Sequence, residues 1–218
     1  MAVRPVARMG ANVLKARAAD VTDFTDPDLS ALIDDMVETM IAVHGIGLAA
    51  PQVFDSRRVV IFFVPAARNA GIEVPLTVMI NPVITPISDA RNDDWEACLS
   101  VPGLTGSVPR WSSIRYTFQD LRGVVHEREA HGFHARVVQH ECDHLDGTLY
   151  PMRMTDMSTL AFVDALKAEA EARGEKLEIE EEGAMVEADE AVGDTDTALS
   201  VTRDDVLALR REARARTP

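Results

Sequence analysis

Between Asp26 and Gly45 the apolar residues Leu29, Ile33, Met36 and Met40 return at steps of three or four, and Asp26 followed by Pro27 makes a good helix start. The pattern predicts a helix that Gly45 stops. The pattern then changes. Residues 57–64 (RRVVIFFV) and 76–84 (LTVMINPVI) are β-branched and apolar, separated by turn residues such as Pro65, Gly71 and Pro75, and predict two strands. From 112 to 130 apolar and polar positions alternate around Gly123, as in a strand pair with one face open to water. At Gly132 the helical period resumes, bringing Phe133, Val137, His140, Glu141 and His144 near one another before Gly147 ends it. A helix, several strands and a second helix, with no internal repeat, predict an α+β domain rather than regular βαβ units.

Composition narrows this only a little. At 218 residues, 46% hydrophobic and 27% charged, the chain suits one folded domain with an appendage. The net charge of −14 disfavours a broad nucleic-acid surface, so no DNA partner is expected. No apolar run approaches the length of a membrane span. Two cysteines, Cys98 and Cys142, without a secretory signal suggest reduced thiols and a cytoplasmic protein. Past about residue 166 the character shifts: residues 166–200 hold twelve acids against three bases, and 201–218 three acids against five arginines. Expected are a domain over 1–165 and, over 166–218, an acidic linker leading to a short amphipathic, Arg-rich helix, with Thr202 and Asp205 placed as a capping box.

Two short words carry chemistry. GIGLAAPQ (45–52) contains G-x-G-x-x-A, but a dinucleotide site needs a strand before the glycines and a helix after them; here the order is reversed. Glycines also admit the backbone of an extended peptide. HECDH (140–144) places His140 and His144 one helical turn apart, able to point at one metal ion while Glu141 reaches a water on it. Two imidazoles need a third ligand. The extended downstream His pattern is missing, Asp146 is close in sequence, and Cys98 in DWEACLSVPG offers a soft thiolate upstream. The residues alone leave that choice open.

GIGLAAPQ, EACLS and QHECDHL, in this order, resemble the three signature motifs of the peptide deformylase family. The likeness runs over about 5–165 and includes DDMVETM, INP and LYPMRM. It implies an α+β fold with short antiparallel sheets packed around a central metal-binding helix, and an N-terminal helix. It implies removal of the formyl group from the N-terminal formylmethionine of new proteins, releasing formate. Cys98, His140 and His144 would be the metal ligands, for one divalent ion: Fe2+ in the cell, with Zn2+, Ni2+ or Co2+ as alternatives. Glu141 would be the general acid/base, and Gln52 with the backbone N–H of Leu99 would meet the substrate's carbonyl oxygen. Gly45, Ile46 and Gly47 would flank the peptide, and Glu96 would anchor the loop beside it.

Phe133 and Val137, one and two turns before His140, are candidates for lining a methionine pocket, and equally for plain core. One residue departs from the family pattern: Ala97 stands where glycine is usual, and its methyl is a potential obstruction. His131, His134, His44 and His126 are read as exposed or cap residues, Cys142 as packing with an oxidation liability, and Trp95 and Trp111 as core or rim. In some family members a basic C-terminal helix docks on the ribosome, which makes 203–216 a candidate contact. A solvated helix is the plainer reading, because the acidic linker would repel ribosomal RNA.

Overall fold

The structure, a computed structural model, describes residues 2–175. Its first helix, α1 (Pro27–Ala42), begins as the sequence predicts, with Pro27 at the first position and the Asp26 carboxylate accepting from the Asp28 N–H. It ends at Ala42, three residues before Gly45, and His44 takes a left-handed φ of 54° on the way out. Leu29, Leu32, Ile33, Met36, Val37 and Met40 are its buried face.

Among the described residues, eight strands form two antiparallel sheets. The larger has the order β1-β2-β3-β6-β7, where β1 is Gly47–Ala49, β2 Val59–Val64, β3 Val74–Pro86, β6 Ser113–Gln119 and β7 Val125–His131. The smaller has the order β4-β5-β8, from Arg91–Ala97, Leu104–Trp111 and Ala161–Phe162. Strand β2 is buried at every position, because α1 and the second helix both pack on it and neither face meets water. The register of β3 slips between Ile80 and Val83, where Asn81 adopts φ 51° and Pro82 would otherwise break the ladder. The Asn81 side chain uses that bulge to bond both backbone groups of Val21 and the amide of Gln119. Strands β6 and β7 pair from Ser113 to Val125 as the alternation predicts.

Helix α2 (Gly132–Leu145) is the centre of the molecule. It touches β1, β2, β5 and β7, and every residue from His134 to Leu145 is buried, charged ones included. The expected α+β architecture is therefore present, with a central metal-motif helix between short antiparallel sheets. A third helix, α3 (Val163–Ala172), runs across the position where the sequence was divided at 165. The proposed Arg-rich helix at 203–216 lies outside the described residues.

His134 is a correction to the sequence reading. It is 8% exposed, with its Nε2 3.1 Å from the Tyr116 hydroxyl and its ring against Phe62. A helix covered on all sides has no outer face for it to occupy. His131 and His44 are exposed, and His126 is half-buried against Asp120.

Candidate active site

Helix α2, the turn that follows β4 and the glycine-motif segment meet at the site. Helix α2 presents His140 and His144 with ring centroids 5.1 Å apart. Its C-terminal end is fixed by Arg58, which donates to the Leu145 carbonyl and to Asp146, and by Gly147, at φ 69°. A Cβ on Gly147 would lie 2.7 Å from the Lys15 carbonyl carbon, so no larger residue fits without moving backbone. Cys98 follows the last residue of β4, in a turn closed by the Val101 N–H on the Cys98 carbonyl.

The ligand atoms of Cys98, His140 and His144 all lie within 4.8 Å of one another, and all three residues are buried. The Cys98 Sγ and His144 Nε2 are 3.4 Å apart. Two donors at about 2.0–2.3 Å from a tetrahedral ion would stand roughly 3.5 Å from each other, so the spacing suits such an ion. His140 donates its Nδ1–H to Glu96 at 2.8 Å, which leaves Nε2 as the ring's free donor atom. His144 Nδ1 is buried without a hydrogen-bond partner. Burial would hold His140 down, but the Cys98 sulfur and the Glu96 carboxylate outweigh it and raise its pKa well above the usual value. Burial, with positive charge on His140 and Arg110, lowers His144 well below.

Glu96 is the hub beneath this cluster. Arg110 meets both its oxygens at 2.9 Å, Arg136 donates to Oε1 at 2.6 Å, and His140 occupies Oε2. Burial alone would raise its pKa; Arg110 and His140 hold it well below the usual carboxylate range. Arg110 also meets Asp143 at 2.6 Å, and Arg153 of the LYPMRM stretch caps Asp143 with two bonds. Glu96 thus faces ligand and scaffold.

The glycine motif closes the other side. Gln52 is 2% exposed; its Oε1 accepts from the Ala49 N–H at 2.8 Å, and its Nε2 points at Ser100 Oγ, 3.2 Å, and Cys98 Sγ, 3.7 Å. Residues 7–9 stitch the two motif loops together, Ala7 N–H donating to the Gln52 carbonyl and Met9 N–H to the Ser100 carbonyl. Gly47 lies against Glu141: an added Cβ would come within 2.6 Å of the Glu141 Cδ. A Cβ on Gly45 would stand 3.0 Å from the Leu99 side chain. Ile46, Leu99 and Val137 belong to the main core, and Phe133 is half-buried beneath the Arg68 guanidinium, 3.7 Å from its ring centre. Ala97 sits in regular register opposite Thr105 and outside the left-handed region, so its methyl fits the strand. Cys142 is buried, and burial pushes its thiol up, which makes it inert.

Sequence reading did not single out Arg110, Arg136, Asp143, Ser100 or Tyr150. Tyr150 stacks on His140, with centroids 6.3 Å apart, and its buried hydroxyl has no partner. One signal was available: Arg136 stands four residues before His140 and so on the same helical face.

A buried Cys-His-His cluster with a carboxylate alongside could hold one metal ion through three protein donors, a donor set that suits a metal-dependent hydrolase. Comparison with known proteins makes the assignment finer. The family model of polypeptide deformylase matches residues 3–159. Peptide deformylase 2 of Ralstonia nicotianae is 52% identical over 166 residues, covering 75% of this chain and 94% of the relative. Peptide deformylase 1 of Nitrosomonas europaea is 49% identical over 166 residues, with the same shares covered. Among solved structures, the Met-Ala-Ser-bound class I type b peptide deformylase of Acinetobacter baumannii aligns with a TM-score of 0.65 at 39% identity, covering 70% of this chain and 100% of that one. The Thermotoga maritima peptide deformylase gives 0.63 at 36% identity, covering 72% and 99%. The chain belongs to the polypeptide deformylase family.

Proposed function

We propose that this chain hydrolyses the N-formyl amide of the N-terminal formylmethionine of newly synthesised proteins, with Cys98, His140 and His144 holding one divalent ion. The observation that carries the reading is convergence: residues 47, 52, 98, 141 and 144, from three separate motifs, meet around one buried cluster. Bound there, the ion supplies Lewis-acid chemistry and acidifies water, whose pKa falls from about 15.7 to about 7 in the best-studied zinc site.

The chain's own groups do the rest. Glu141 accepts the proton of the attacking water and returns it to the departing amine, leaving formate and a free α-amino group. Gln52 Nε2 and the Leu99 N–H are the donors for the oxygen that gains charge at the formyl carbon. The anchor on Ala49 keeps the Gln52 amide from rotating, so the donor is set before substrate arrives. Strand β1 is at the edge of its sheet, and an extended peptide can lie along it beside Gly45, Ile46 and Gly47. Phe133 and Val137 line the methionine side chain in this reading. Glu96 contributes to substrate binding only by holding the loop and His140.

A soft sulfur donor with two imidazoles accepts Fe2+, Zn2+, Ni2+ or Co2+, and Fe2+ in the cell follows supply rather than affinity. A cytoplasmic location follows from the substrate, nascent formylated chains, and among the described residues no helix is long and apolar enough to cross a membrane. Transient ribosome contact through 203–216 belongs to the same reading and rests on the five arginines there.

The test is formate release from formyl-Met-Ala-Ser by anaerobically prepared protein, with Glu141→Ala as control. Formate from the wild type and loss of about 10²-fold or more in the variant are expected. A metal-loaded wild type that releases none refutes the proposal.

A further inference from the structure

We infer that Arg136 is a positioning residue for the metal centre: it and His140, one helical turn apart on α2, each take one oxygen of Glu96, and so fix the ring that carries the ion. The inference rests on the reading of Cys98, His140 and His144 as ligands.

Glu96 offers about four lone-pair sites, and all are filled. Oε1 accepts from Arg136 at 2.6 Å and from Arg110 Nε at 2.9 Å; Oε2 accepts from Arg110 at 2.9 Å and from His140 Nδ1 at 2.8 Å. Arg110 reaches the carboxylate from β5, as a two-pronged fork along one edge. Arg136 and His140 reach it from the helix, four residues apart and therefore on one face. Arg110 alone would leave the carboxylate free to tilt about the fork. The second contact from α2 sets its plane relative to the helix axis, and with it the direction of the His140 Nε2 lone pair.

Arg136 is itself immobilised. Its guanidinium donates to the backbone carbonyls of Val108 at 2.8 Å, Asn92 at 2.9 Å and Asp94 at 3.4 Å, so the β4–β5 pair holds it at several points. Its side chain and that of Glu96 are each 4% exposed. Lysine, a point donor on a flexible stem, cannot span the same acceptors. A purely structural role would tie α2 to β4 and β5 through the carbonyls alone; the 2.6 Å bond to the carboxylate that holds His140 is the feature that role does not need.

The experiment measures Co2+ affinity of the full chain by competition with a chromophoric chelator, together with the visible spectrum of the Co2+ form. The proteins are wild type, Arg136→Met, Arg136→Lys, Glu96→Gln and the Arg136→Met/Glu96→Gln double variant. Arg136→Met is expected to weaken Co2+ binding 10- to 100-fold and to alter the visible bands. Because both residues act through His140, the double variant should bind within about 3-fold of Glu96→Gln. Should Arg136→Met not fold, the comparison rests on Arg136→Lys, which should weaken binding and shift the bands in the same sense. Wild-type affinity and spectrum in a folded Arg136 variant, or losses that multiply in the double, overturn the inference. Failure of the underlying reading looks different: wild type that takes up no Co2+, or a Cys98→Ser protein that binds it equally well.

Discussion

At Gly47 the absent side chain is as consequential as any present one. The space a methyl would fill is held by the Glu141 carboxylate, so Gly47→Ala should displace the proposed general base while leaving Cys98, His140 and His144 in place. Misplacement of a reacting group by about 1 Å typically lowers rate about 10²-fold. We expect kcat/KM for formate release to fall by that factor with metal content unchanged; loss of metal instead would show that Gly47 supports the ligands. His134 gives a prediction in pH. Burial first, then Arg128 and His131, lower its pKa from 6.5 to about 4. The unfolded ring therefore takes a proton before the folded one does. Stability fully present above pH 6.5 is lost as pH falls toward 4. Urea midpoints across that window should fall more steeply for wild type than for His134→Gln; parallel profiles would contradict the assignment.

Elements differ in how openly the sequence declares them. Helix α1 and strands β3 and β6 are readable because each has a buried and a wetter face that its apolar period records, β2 because its run of β-branched and apolar residues is unbroken, and α2 because its apolar and motif residues recur at helical spacing. Strand β4 is not, since Arg91 to Trp95 are exposed and present no alternation. It exists through pairing with β5 and through Arg136, which bonds its carbonyls from across the core. The site divides the same way. Its three motifs are local words, and they named the metal ligands of the proposal. The layer beneath, Arg110, Arg136 and Asp143, was hidden because charged side chains default to water and only a tertiary partner explains their burial. His134 was misread for the same reason. The end of α2 also carries a prediction. Gly147→Ala forces a left-handed residue, about 1–2 kcal/mol, into the backbone of Lys15 and Ala16. A loss of at least about 2 kcal/mol in denaturant unfolding is expected; a neutral substitution would mean that this junction yields.

On the scale of the whole molecule, the turn after β4 and helix α2 meet at the cluster of Cys98, His140 and His144, and residues 7–9 bond to the neighbouring Gln52 and Ser100 carbonyls. Folding and metal uptake should therefore be linked. An ion present at 100 times its dissociation constant adds about 2.7 kcal/mol, so chelation should lower the thermal midpoint of wild type and leave that of Cys98→Ala nearly unmoved. The same connectivity places a sulfur from the end of β4 beside two imidazoles from a helix more than forty residues later, and the proposed chemistry depends on that junction. X-ray absorption at the metal edge of the Zn2+-loaded protein reads it most directly. The account predicts one sulfur at about 2.3 Å with two imidazole nitrogens at about 2.0–2.1 Å. A shell of nitrogen and oxygen alone, with no sulfur, would contradict it.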